Sequence, residues 1–366
     1  MPLEVPMRIV ISGYYGFGNA GDEAILAGAV AGLRRRLPDV ELTVLSGDPP
    51  ATERAHGVHA VQRGQAGSVW RAIGAADLVL QGGGGLVQDS TSGRSALYYL
   101  GILAAARLRR RPFMVFAQGI GPLRRRLTRS LTAWVFRRAA AITLRDDNSA
   151  GLLVEIGVPA ERIAVTADLA ALVDPVPSED VAVLLPPKGE GPRIGLALRE
   201  AEGAEAALKG AMEAAQHLRE RYGARIVPLA LHAGEDANLA RQAAEALGAS
   251  AVGVDRELTP AQWVGLVRSL DFVIAIRLHA CIFAAAQGVP FVALSYDPKV
   301  AAFASRAHAL WAPLEADLSE VVGLIDRAWA QREAGGASRE AFAVELRRQA
   351  ERNLDLVEAH QAGRRR

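Results

Sequence analysis

The stretch of sequence that decides the fold is residues 8–26, RIVISGYYGFGNAGDEAIL. It opens with Arg8–Ser12, a short run rich in isoleucine and valine, which predicts a buried strand. A glycine-rich turn follows, and a segment of helical period begins near Gly21 with Asp22 and Glu23 in its first turn. Carboxylates are favourable at the amino end of a helix. The stretch therefore predicts a strand, a tight turn and a helix, the repeating unit of a parallel α/β sheet.

The same alternation of short apolar runs and helical segments continues along the chain. The first series of predicted strands is Arg8–Ser12, Glu41–Leu45, Asp77–Leu80, Phe113–Ala117, Ala141–Leu144 and Ile163–Thr166. The second is Arg193–Leu198, Arg225–Leu231, Ala251–Val254, Phe272–Ile276 and Phe291–Ser295. Residues 174–192 lie between the two series and hold five of the 18 prolines, which favours a linker.

At roughly 150 residues per domain, 366 residues predict about two domains. We expect an α/β fold with two Rossmann-like domains that face each other across a cleft, as in the glycosyltransferase-B fold. The predicted parts are residues 1–174, a linker over 175–192, residues 193–337, and a helix with a basic tail over 338–366. Ligands of parallel sheets gather at the carboxyl ends of the strands, so the residues there are the candidate site.

Composition excludes several classes of protein. Apolar residues make up 50% and charged residues 22%, which excludes a disordered chain. A formal charge of +2 argues against a nucleic-acid partner. Cys281 is the single cysteine, so no intramolecular disulfide or Cys/His zinc cluster is expected, and a reducing, cytoplasmic setting fits. The start of the sequence lacks the pattern of a secretory signal, and we predict neither export nor a metal.

Gly16-Phe17-Gly18-Asn19-Ala20-Gly21 matches the dinucleotide-binding motif GxGxxG in the expected strand-to-helix context. Asp22 and Glu23 argue against NAD, because they place negative charge where a pyrophosphate would bind. A tight turn alone explains part of the motif. The alternative is that Asn19, Asp22 and Glu23 bind a hydroxylated, uncharged substrate.

Two further glycine-rich segments follow predicted strands in the first half. Gly82–Gly85 would let a ligand approach the backbone closely, and Gln88 and Asp89 follow it. Gln118 opens a second turn, Gln118–Pro122, and is a candidate hydrogen-bond donor to a sugar. For each segment a purely structural turn remains the alternative. The candidate ligand-binding residues here are Gly83, Gly84, Gln88, Asp89 and Gln118.

Cations cluster at the strand ends of the second half. Arg277 and His279 follow the strand Phe272–Ile276, and Lys299 follows Phe291–Ser295 in the first turn of a helix. A cation in the first turn of a helix is unfavourable next to the positive end of the helix dipole unless an anion binds there. These strand ends therefore predict an anion site. Lys299 stands out because the chain has three lysines and 39 arginines. Arg145 could join this site or pair with Asp146 or Asp147.

Three arginine runs, Arg34–Arg36, Arg109–Arg111 and Arg124–Arg126, are expected on solvated helix or loop faces. The alternative is that one of them contacts anionic lipid headgroups. That contact would place the protein peripherally at the cytoplasmic face of the membrane.

The chain contains, in order, Gly18–Glu23, Gly82–Leu86 with Gln88-Asp89, Gln118–Pro122, Arg145-Asp146, Arg277–His279 and Tyr296–Lys299. This set resembles the polysaccharide pyruvyl transferase family, closest to its bacterial CsaB type. The resemblance implies transfer of a pyruvyl group from phosphoenolpyruvate, the donor substrate, to a sugar, without a cofactor. In the CsaB type the acceptor is N-acetylmannosamine in a lipid-linked precursor of a secondary cell-wall polymer. The resulting pyruvate ketal anchors surface-layer proteins.

By the same resemblance, Arg145, Arg277, His279 and Lys299 bind phosphoenolpyruvate. The first domain is then the acceptor side and the second the donor side. His279 is our candidate general acid/base, and Asp22 would orient or deprotonate an acceptor hydroxyl. A glycosyltransferase-B enzyme that uses a nucleotide sugar is the main alternative, followed by a dehydrogenase and a non-catalytic sugar-binding protein.

Overall fold

The computed structural model describes residues 6–89, 93–187, 189, 191–201 and 203–364. Two compact units divide the chain. The first contains Met1–Phe17, Asp22–Leu172 and Arg347–Arg366, and the second contains Gly18–Gly21 and Val173–Leu346. Lys188 and the last two arginines of the predicted basic tail lie outside the described residues.

The first unit is built on an eight-stranded sheet in which all pairings are parallel. The strand order is β3-β2-β1-β4-β6-β7-β8, and β5 pairs with β6. Its strands are β1 Arg8–Tyr15, β2 Glu41–Ser46, β3 His59–Gln62, β4 Leu78–Gln81, β5 Gly84–Val87, β6 Phe113–Ile120, β7 Ala141–Leu144 and β8 Ile163–Val165. Its helices are α1 Ala20–Arg36, which begins in the second unit's Gly18–Gly21 segment, α2 Pro49–His56, α3 Ala66–Ala75, α4 Gly93–Leu108, α5 Arg126–Phe136 and α6 Asp147–Glu155.

The second unit is built on a five-stranded parallel sheet in the order β10-β9-β11-β12-β13. Its strands are β9 Arg193–Ala197, β10 Arg225–Pro228, β11 Phe272–Ala275, β12 Phe291–Ser295 and β13 Trp311–Pro313. Its helices are α7 Ser178–Ala182, α8 Glu205–Tyr222, α9 Ala233–Ala246, α10 Pro260–Arg268, α11 Leu278–Ala286, α12 Pro298–Arg306 and α13 Leu318–Ala330. The last helix, α14 Gly336–Arg364, has residues in both units.

The central strands are buried along their whole length, as expected where helices cover both faces of a parallel sheet. This burial explains why the strand residues read as continuous apolar runs rather than as an alternating pattern. Ser12, Gln81 and Gln118 are exceptions: they are buried polar residues in the carboxyl-terminal halves of β1, β4 and β6. The parallel α/β fold predicted from the sequence is confirmed.

Two details of the predicted strands are wrong. Ala251–Val254 forms only an isolated bridge between Val252 and Leu229, because Gly253 has a φ of +83° and turns the chain away. The predicted turns at Gly82–Gly85 and Gln118–Pro122 are partly strand, since β5 begins at Gly84 and β6 continues to Ile120. Gln118 therefore lies inside a strand and pairs with Gly84.

The segment predicted as a linker contains α7, whose Val181 is buried. Val176 donates a backbone hydrogen bond to Ala261 at the start of α10, so this segment packs within the second unit. The predicted C-terminal helix is present as α14. Its Asn353 is buried in the first unit and hydrogen-bonds to Thr166 Oγ1 at 3.0 Å. Among the described residues, none of the helices combines the length and apolar character needed to cross a membrane.

Candidate active site

Three of the predicted cationic residues lie at two adjacent strand ends of the second unit. Arg277 follows β11 and is the residue before α11, and His279 lies in the first turn of that helix. Lys299 lies in the first turn of α12, after β12. The Asp297 side chain caps α12 by accepting a hydrogen bond from the Lys299 backbone N–H at 2.9 Å. The sheet thus brings Arg277, His279 and Lys299 to one edge, because β11 and β12 are paired neighbours.

The Arg277 guanidinium is held by two carboxylates that sequence reasoning missed. Its Nε lies 3.0 and 3.2 Å from the two Asp236 oxygens, and its Nη2 lies 2.8 Å from Glu235 Oε2 and also contacts Asp236. Asp236 is only 1% exposed. Burial alone lowers the pKa of Arg277, but hydrogen bonds and charge from Asp236 and Glu235 outweigh it and raise that pKa. Arg277 is therefore fixed as a cation in one orientation.

More polar residues extend this edge of the second sheet. The His232 backbone N–H donates to Asp236 Oδ2 at 3.0 Å, and His232 Nδ1 lies 3.3 Å from Glu235 Oε1. Arg199, after β9, donates to the Tyr296 hydroxyl at 2.9 Å, and its guanidinium carbon lies 4.9 Å from the Tyr296 ring centroid. Burial raises the pKa of Glu235, but its bond to Arg277 and the nearby cations dominate and lower it. The strand ends from β9 to β12 thus carry one connected polar network.

Gly21, the third glycine of the GxGxxG motif, makes room for His279. A methyl group at Gly21 would lie 2.0 Å from His279 Nδ1 and 2.2 Å from its Cγ. Gly18–Gly21 belongs to the second unit, where the Ala20 N–H donates to the Leu231 carbonyl at 2.8 Å. The Asn19 side chain accepts a hydrogen bond from the Gly21 N–H at 3.0 Å and shapes this turn. The motif therefore positions a histidine.

Arg145, the fourth predicted donor residue, lies in the first unit. Its Nη1 donates to Asp168 Oδ2 at 2.6 Å, and both side chains are buried. This ion pair is with Asp168 rather than with Asp146 or Asp147 of the expected alternative, and the Asp146 side chain caps α6 by accepting from Ser149 N–H at 2.7 Å. Burial lowers the pKa of Arg145, but the charges of Asp168 and Asp146 and the hydrogen bond to Asp168 outweigh burial and raise that pKa. The predicted donor residues are thus divided between the two units.

Among the predicted acceptor residues, Glu23 and Asp89 have structural hydrogen bonds. Glu23 Oε1 accepts from the Gly16 N–H at 2.8 Å, and Oε2 lies 2.9 Å from His56 Nε2. The Asp89 carboxylate accepts from the Arg124 N–H at 2.7 Å, the Arg125 N–H at 2.9 Å and the Thr128 hydroxyl. Their carboxylates are occupied by protein donors, which favours the structural alternative at both positions.

Hydrogen bonding also sets the protonation of Asp89. Burial raises the pKa of its carboxyl, but the hydrogen bonds from Arg124, Thr128 and Arg125 outweigh burial and lower the pKa. Asp89 therefore stays ionised and fixes the turn that leads into α5.

Asp22 lies beside the glycine run. It is buried, and its Oδ1 is 2.9 Å from the position that a Cβ of Gly84 would occupy. Gly84 has a φ of +90°, which favours glycine there for a second reason. A Cβ at Gly83 would lie 3.1 Å from the Ala117 carbonyl oxygen and 3.1 Å from Ile25 Cγ2, and half-buried Gln88 follows β5. The structure thus brings Asp22 and the glycine run together.

Buried neutral polar groups lie on β1, β4 and β6 of the first unit. Ser12 Oγ, the Tyr15 hydroxyl, the Gln81 amide and Gln118 Oε1 make no hydrogen bond to the described residues. Gln118 Nε2 donates to the Gly82 carbonyl at 3.2 Å, and a methyl group at Gly82 would meet the Tyr15 hydroxyl. Burial, then the charges of Asp22 and Glu23, raise the pKa of Tyr15, so its hydroxyl stays protonated. Buried polar groups of this kind require water or a ligand as partner.

Sequence reasoning also missed an aromatic group around Arg63, which follows β3. The Arg63 guanidinium carbon lies 4.3 Å from the Tyr98 ring centroid and 5.2 Å from those of Phe17 and Tyr99. Tyr14 stacks on Phe17 with centroids 4.3 Å apart, and Phe17 is 39% exposed. Exposed aromatic faces at a strand end can stack on a sugar ring.

A sequence model of the polysaccharide pyruvyl transferase family matches residues 19–298, which include Gly21, Arg145, Arg277 and His279. The chain belongs to this family. It is therefore a transferase, as the resemblance implied. The CsaB subtype and the role of each site residue stay predictions. No curated protein sequence matches the chain at a significant level.

Solved structures similar to this pyruvyl transferase share its fold. A Listeria monocytogenes protein assigned as a UDP-N-acetylglucosamine 2-epimerase has 14% identity and a TM-score of 0.68, with 98% of each chain covered. The Neisseria meningitidis UDP-GlcNAc 2-epimerase has 13% identity and a TM-score of 0.63, covering 96% of this chain and 99% of the other. Anabaena HepE with UDP-glucose has 14% identity and a TM-score of 0.58, covering 97% and 98%. At such identities the likeness shows the glycosyltransferase-B type of fold alone.

A metal site is not formed by the part of this pyruvyl transferase that the structure describes. Within those residues no group of three His, Cys, Asp or Glu side chains could hold a metal ion. Cys281 is buried in α11, and burial raises the pKa of its thiol to about 12. It therefore stays a neutral thiol that packs in the core.

Proposed function

We propose that this pyruvyl transferase takes its pyruvyl group from phosphoenolpyruvate and forms a ketal on two hydroxyls of a sugar. The observation that carries the proposal is the set Arg277, His279 and Lys299 at adjacent strand ends of the second unit. Phosphoenolpyruvate carries a carboxylate and a phosphate on one small carbon frame. A fixed arginine and a lysine complement both anions.

The residues of the donor site have distinct tasks in this proposal. The bonds of Arg277 to Asp236 and Glu235 use Nε and Nη2, and Nη1 makes no hydrogen bond to the described residues. Nη1 would bind the donor, and Lys299 would neutralise its phosphate. Arg145, in the first unit, is kept as a proposed donor residue on the family resemblance alone. No cofactor is required.

The chemistry requires one proton donor and one leaving group. A sugar hydroxyl oxygen bonds to C2 of phosphoenolpyruvate while His279 delivers a proton to C3, and the proton of that hydroxyl replaces the one His279 gave. A second hydroxyl oxygen then bonds to C2, the C2–O bond to phosphate breaks, and phosphate leaves with that hydroxyl's proton. Histidine can act as both acid and base near neutral pH.

The acceptor is assigned to the first unit. Ser12, Tyr15, Gln81 and Gln118 offer neutral, buried hydrogen-bonding groups, which suit sugar hydroxyls better than an anion. Asp22 would orient or deprotonate the attacking hydroxyl, and Gly83 and Gly84 would admit the ring to the backbone. Gln88, which follows β5 of this unit, would be a further ligand, and Asn19 is proposed as a ligand on the sequence motif alone.

Following the resemblance, we propose N-acetylmannosamine in a lipid-linked cell-wall precursor as the acceptor. The enzyme would then act in the cytoplasm, and the ketal would serve to anchor surface-layer proteins. The acceptor's identity is tested by incubation with phosphoenolpyruvate and synthetic glycosides, followed by mass analysis of the products.

Two pairs of variants test the donor site. We expect His279→Gln to lower kcat by about 10²–10⁴-fold and Lys299→Gln to weaken phosphoenolpyruvate binding strongly. The matched controls are His217→Gln, at a partly exposed position of α8 paired with Asp326, and Lys209→Gln, at an exposed position of α8 paired with Glu213. Phosphate release and calorimetric binding of phosphoenolpyruvate are the measurements. Near-normal turnover of His279→Gln, or binding of a UDP-sugar instead of phosphoenolpyruvate, would overturn the proposal.

A further inference from the structure

One region of the sequence has an extreme charge asymmetry that the near-neutral total conceals. Between Asp89 and Asp146 the chain has 12 arginines and no aspartate, glutamate or lysine. The stretch contains α4, β6, α5 and β7, and β6 and β7 lie in the sheet. Most of its arginines are therefore carried by α4, α5 and the turns beside them. Acidic residues make up 40 of the 366 residues, so their absence here is not a property of the whole chain.

Few of these arginines have a carboxylate partner. Among the described residues, Arg129 pairs with Glu155 at 2.6 Å and Arg145 pairs with Asp168, and the other ten form no ion pair. By contrast, Arg36 pairs with Asp355 and Glu358 of α14 at 3.0 Å each. The Arg34–Arg36 run thus forms ion pairs within the first unit, whereas Arg124–Arg126 is exposed.

The same two helices carry exposed apolar side chains. On α4, Leu97 and Leu108 are 42% and 75% exposed, and they are separated by three helical turns on one face. On α5, Leu127 and Trp134 are 63% and 49% exposed, two turns apart on one face. Each helix thus presents an apolar stripe outward.

Contacts join these stripes into one surface. The helices α4 and α5 pack on each other, and the Arg107 guanidinium carbon of α4 lies 4.3 Å from the Trp134 ring centroid of α5. The Asp89 carboxylate holds the backbone of Arg124 and Arg125, so the turn that carries the exposed arginines has a fixed shape. We call the exposed residues Leu97, Leu108, Arg124–Arg126, Leu127 and Trp134 the α4–α5 surface.

We infer that the α4–α5 surface docks on a bilayer of anionic lipids. Its leucines and tryptophan would enter the headgroup boundary, and the arginines around them would meet the lipid phosphates. The apolar stripe favours a membrane over a nucleic acid, whose backbone would be met by charge alone. The inference is independent of the donor chemistry. Only the purpose of docking rests on the proposed function: docking would bring the enzyme to a lipid-linked acceptor.

Vesicle sedimentation of the full chain tests the inference. We expect binding to vesicles of phosphatidylcholine mixed with phosphatidylglycerol, and much weaker binding to phosphatidylcholine alone. The triple variant Arg124→Gln/Arg125→Gln/Arg126→Gln should weaken binding by about a hundredfold, because each arginine near an anionic surface contributes about fivefold. The matched control is Arg219→Gln/Arg221→Gln/Arg268→Gln, which removes the same charge from exposed positions of the second unit and should bind as the unmodified protein does.

The apolar part is tested separately. Trp134→Ser should weaken binding by about fivefold or more, whereas Val344→Ser, at a 70% exposed position of α14, should not. Trp134→Phe should retain binding but lose the quenching of tryptophan fluorescence by brominated lipids, which reports the depth of that side chain even if another variant folds poorly.

Several results would overturn the inference. These are equal binding to neutral and anionic vesicles, unchanged binding of the triple variant, equal losses in the control triple variant, or binding of an RNA oligonucleotide in place of vesicles. None of these measurements uses phosphoenolpyruvate or an acceptor. Transfer to a synthetic water-soluble glycoside should be unchanged in the triple variant, so failure of the docking surface and failure of the proposed reaction are distinguishable.

Discussion

Substituting Gly21 by alanine adds one methyl group where this glycine lies against the His279 ring. The new methyl carbon would lie 2.0 Å from His279 Nδ1, 2.2 Å from Cγ and 2.6 Å from Cε1. Non-bonded carbon atoms prefer separations of about 3.5–4.0 Å, so the ring must move by more than about 1 Å. Gly21 does not have a positive φ, so alanine meets no backbone strain there. Its effect should come from the displaced imidazole.

A displacement of about 1 Å can cost about a hundredfold in rate, so we expect Gly21→Ala to lower kcat about a hundredfold. Stability should fall little, because alanine favours the helix that begins here. Steady-state turnover and thermal unfolding measure both quantities, and NMR signals of the His279 ring report its displacement. Gly151→Ala is the matched control, since Gly151 lies in α6 with open space around it. The free energy of unfolding of Gly151→Ala should rise by about 0.5–1 kcal/mol, and this variant should keep full activity. A Gly21→Ala enzyme with unshifted His279 signals and at least half of the normal kcat would refute the reasoning.

Three further predictions follow from the hydrogen bonding. Asp236→Asn should lower the free energy of unfolding by about 3 kcal/mol in urea titrations, because it weakens the buried pair with Arg277. Tyr15→Phe should leave that free energy unchanged or raise it by about 1 kcal/mol, since the hydroxyl makes no hydrogen bond to the described residues, while the KM for the acceptor rises. Asp89→Asn should cost about 1–2 kcal/mol at pH 7. Because the pKa of Asp89 is lowered in the folded state, its contribution is present at neutral pH and is lost as pH falls through that pKa, so the variant and the parent should converge in acid.

Each of these predictions has a contrary outcome. A cost below about 1 kcal/mol for Asp236→Asn would mean that Glu235 alone holds the arginine. A clear loss of stability in Tyr15→Phe would show that the hydroxyl has a partner in the ligand-free protein. A stability difference for Asp89→Asn that is the same at pH 7 and in acid would exclude an ionised carboxylate as the source of the effect.

The fold was predictable because parallel strands are buried on both faces. Runs such as Phe113–Ala117 and Phe272–Ile276 have to be apolar throughout, and the turns between them need glycine, so the pattern is strong. Short edge strands such as β3 and β13 lack this pattern and were missed. The run Gly82–Gly85 was predicted as a turn because four successive glycines favour one, yet β5 begins at Gly84 and pairs with β6. Pairing with a neighbouring strand decides whether such a segment is a strand, and the intrinsic β-propensity of its residues does not reveal that pairing.

The site was predictable where position along the chain determines position in space. Strand ends of a parallel sheet meet at one edge, which is why Arg277, His279 and Lys299 could be grouped in advance. The partners of the arginines were not predictable. Asp168 is 23 residues from Arg145, and Asp236 is 41 residues from Arg277. An acidic residue next to an arginine in sequence, such as Asp146, instead caps the following helix.

The division of the chain has a consequence for its synthesis on the ribosome. The first unit is completed by the segment that begins at Arg347, where buried Asn353 bonds to Thr166. That segment emerges after every residue of the second unit has been translated. The first unit consequently cannot acquire its full set of native contacts co-translationally ahead of the second, and a fragment that stops at Leu172 lacks part of its own core. We expect such a fragment to be recovered mainly with chaperones or in aggregates, and supplying residues 347–366 as a separate peptide should restore part of its stability.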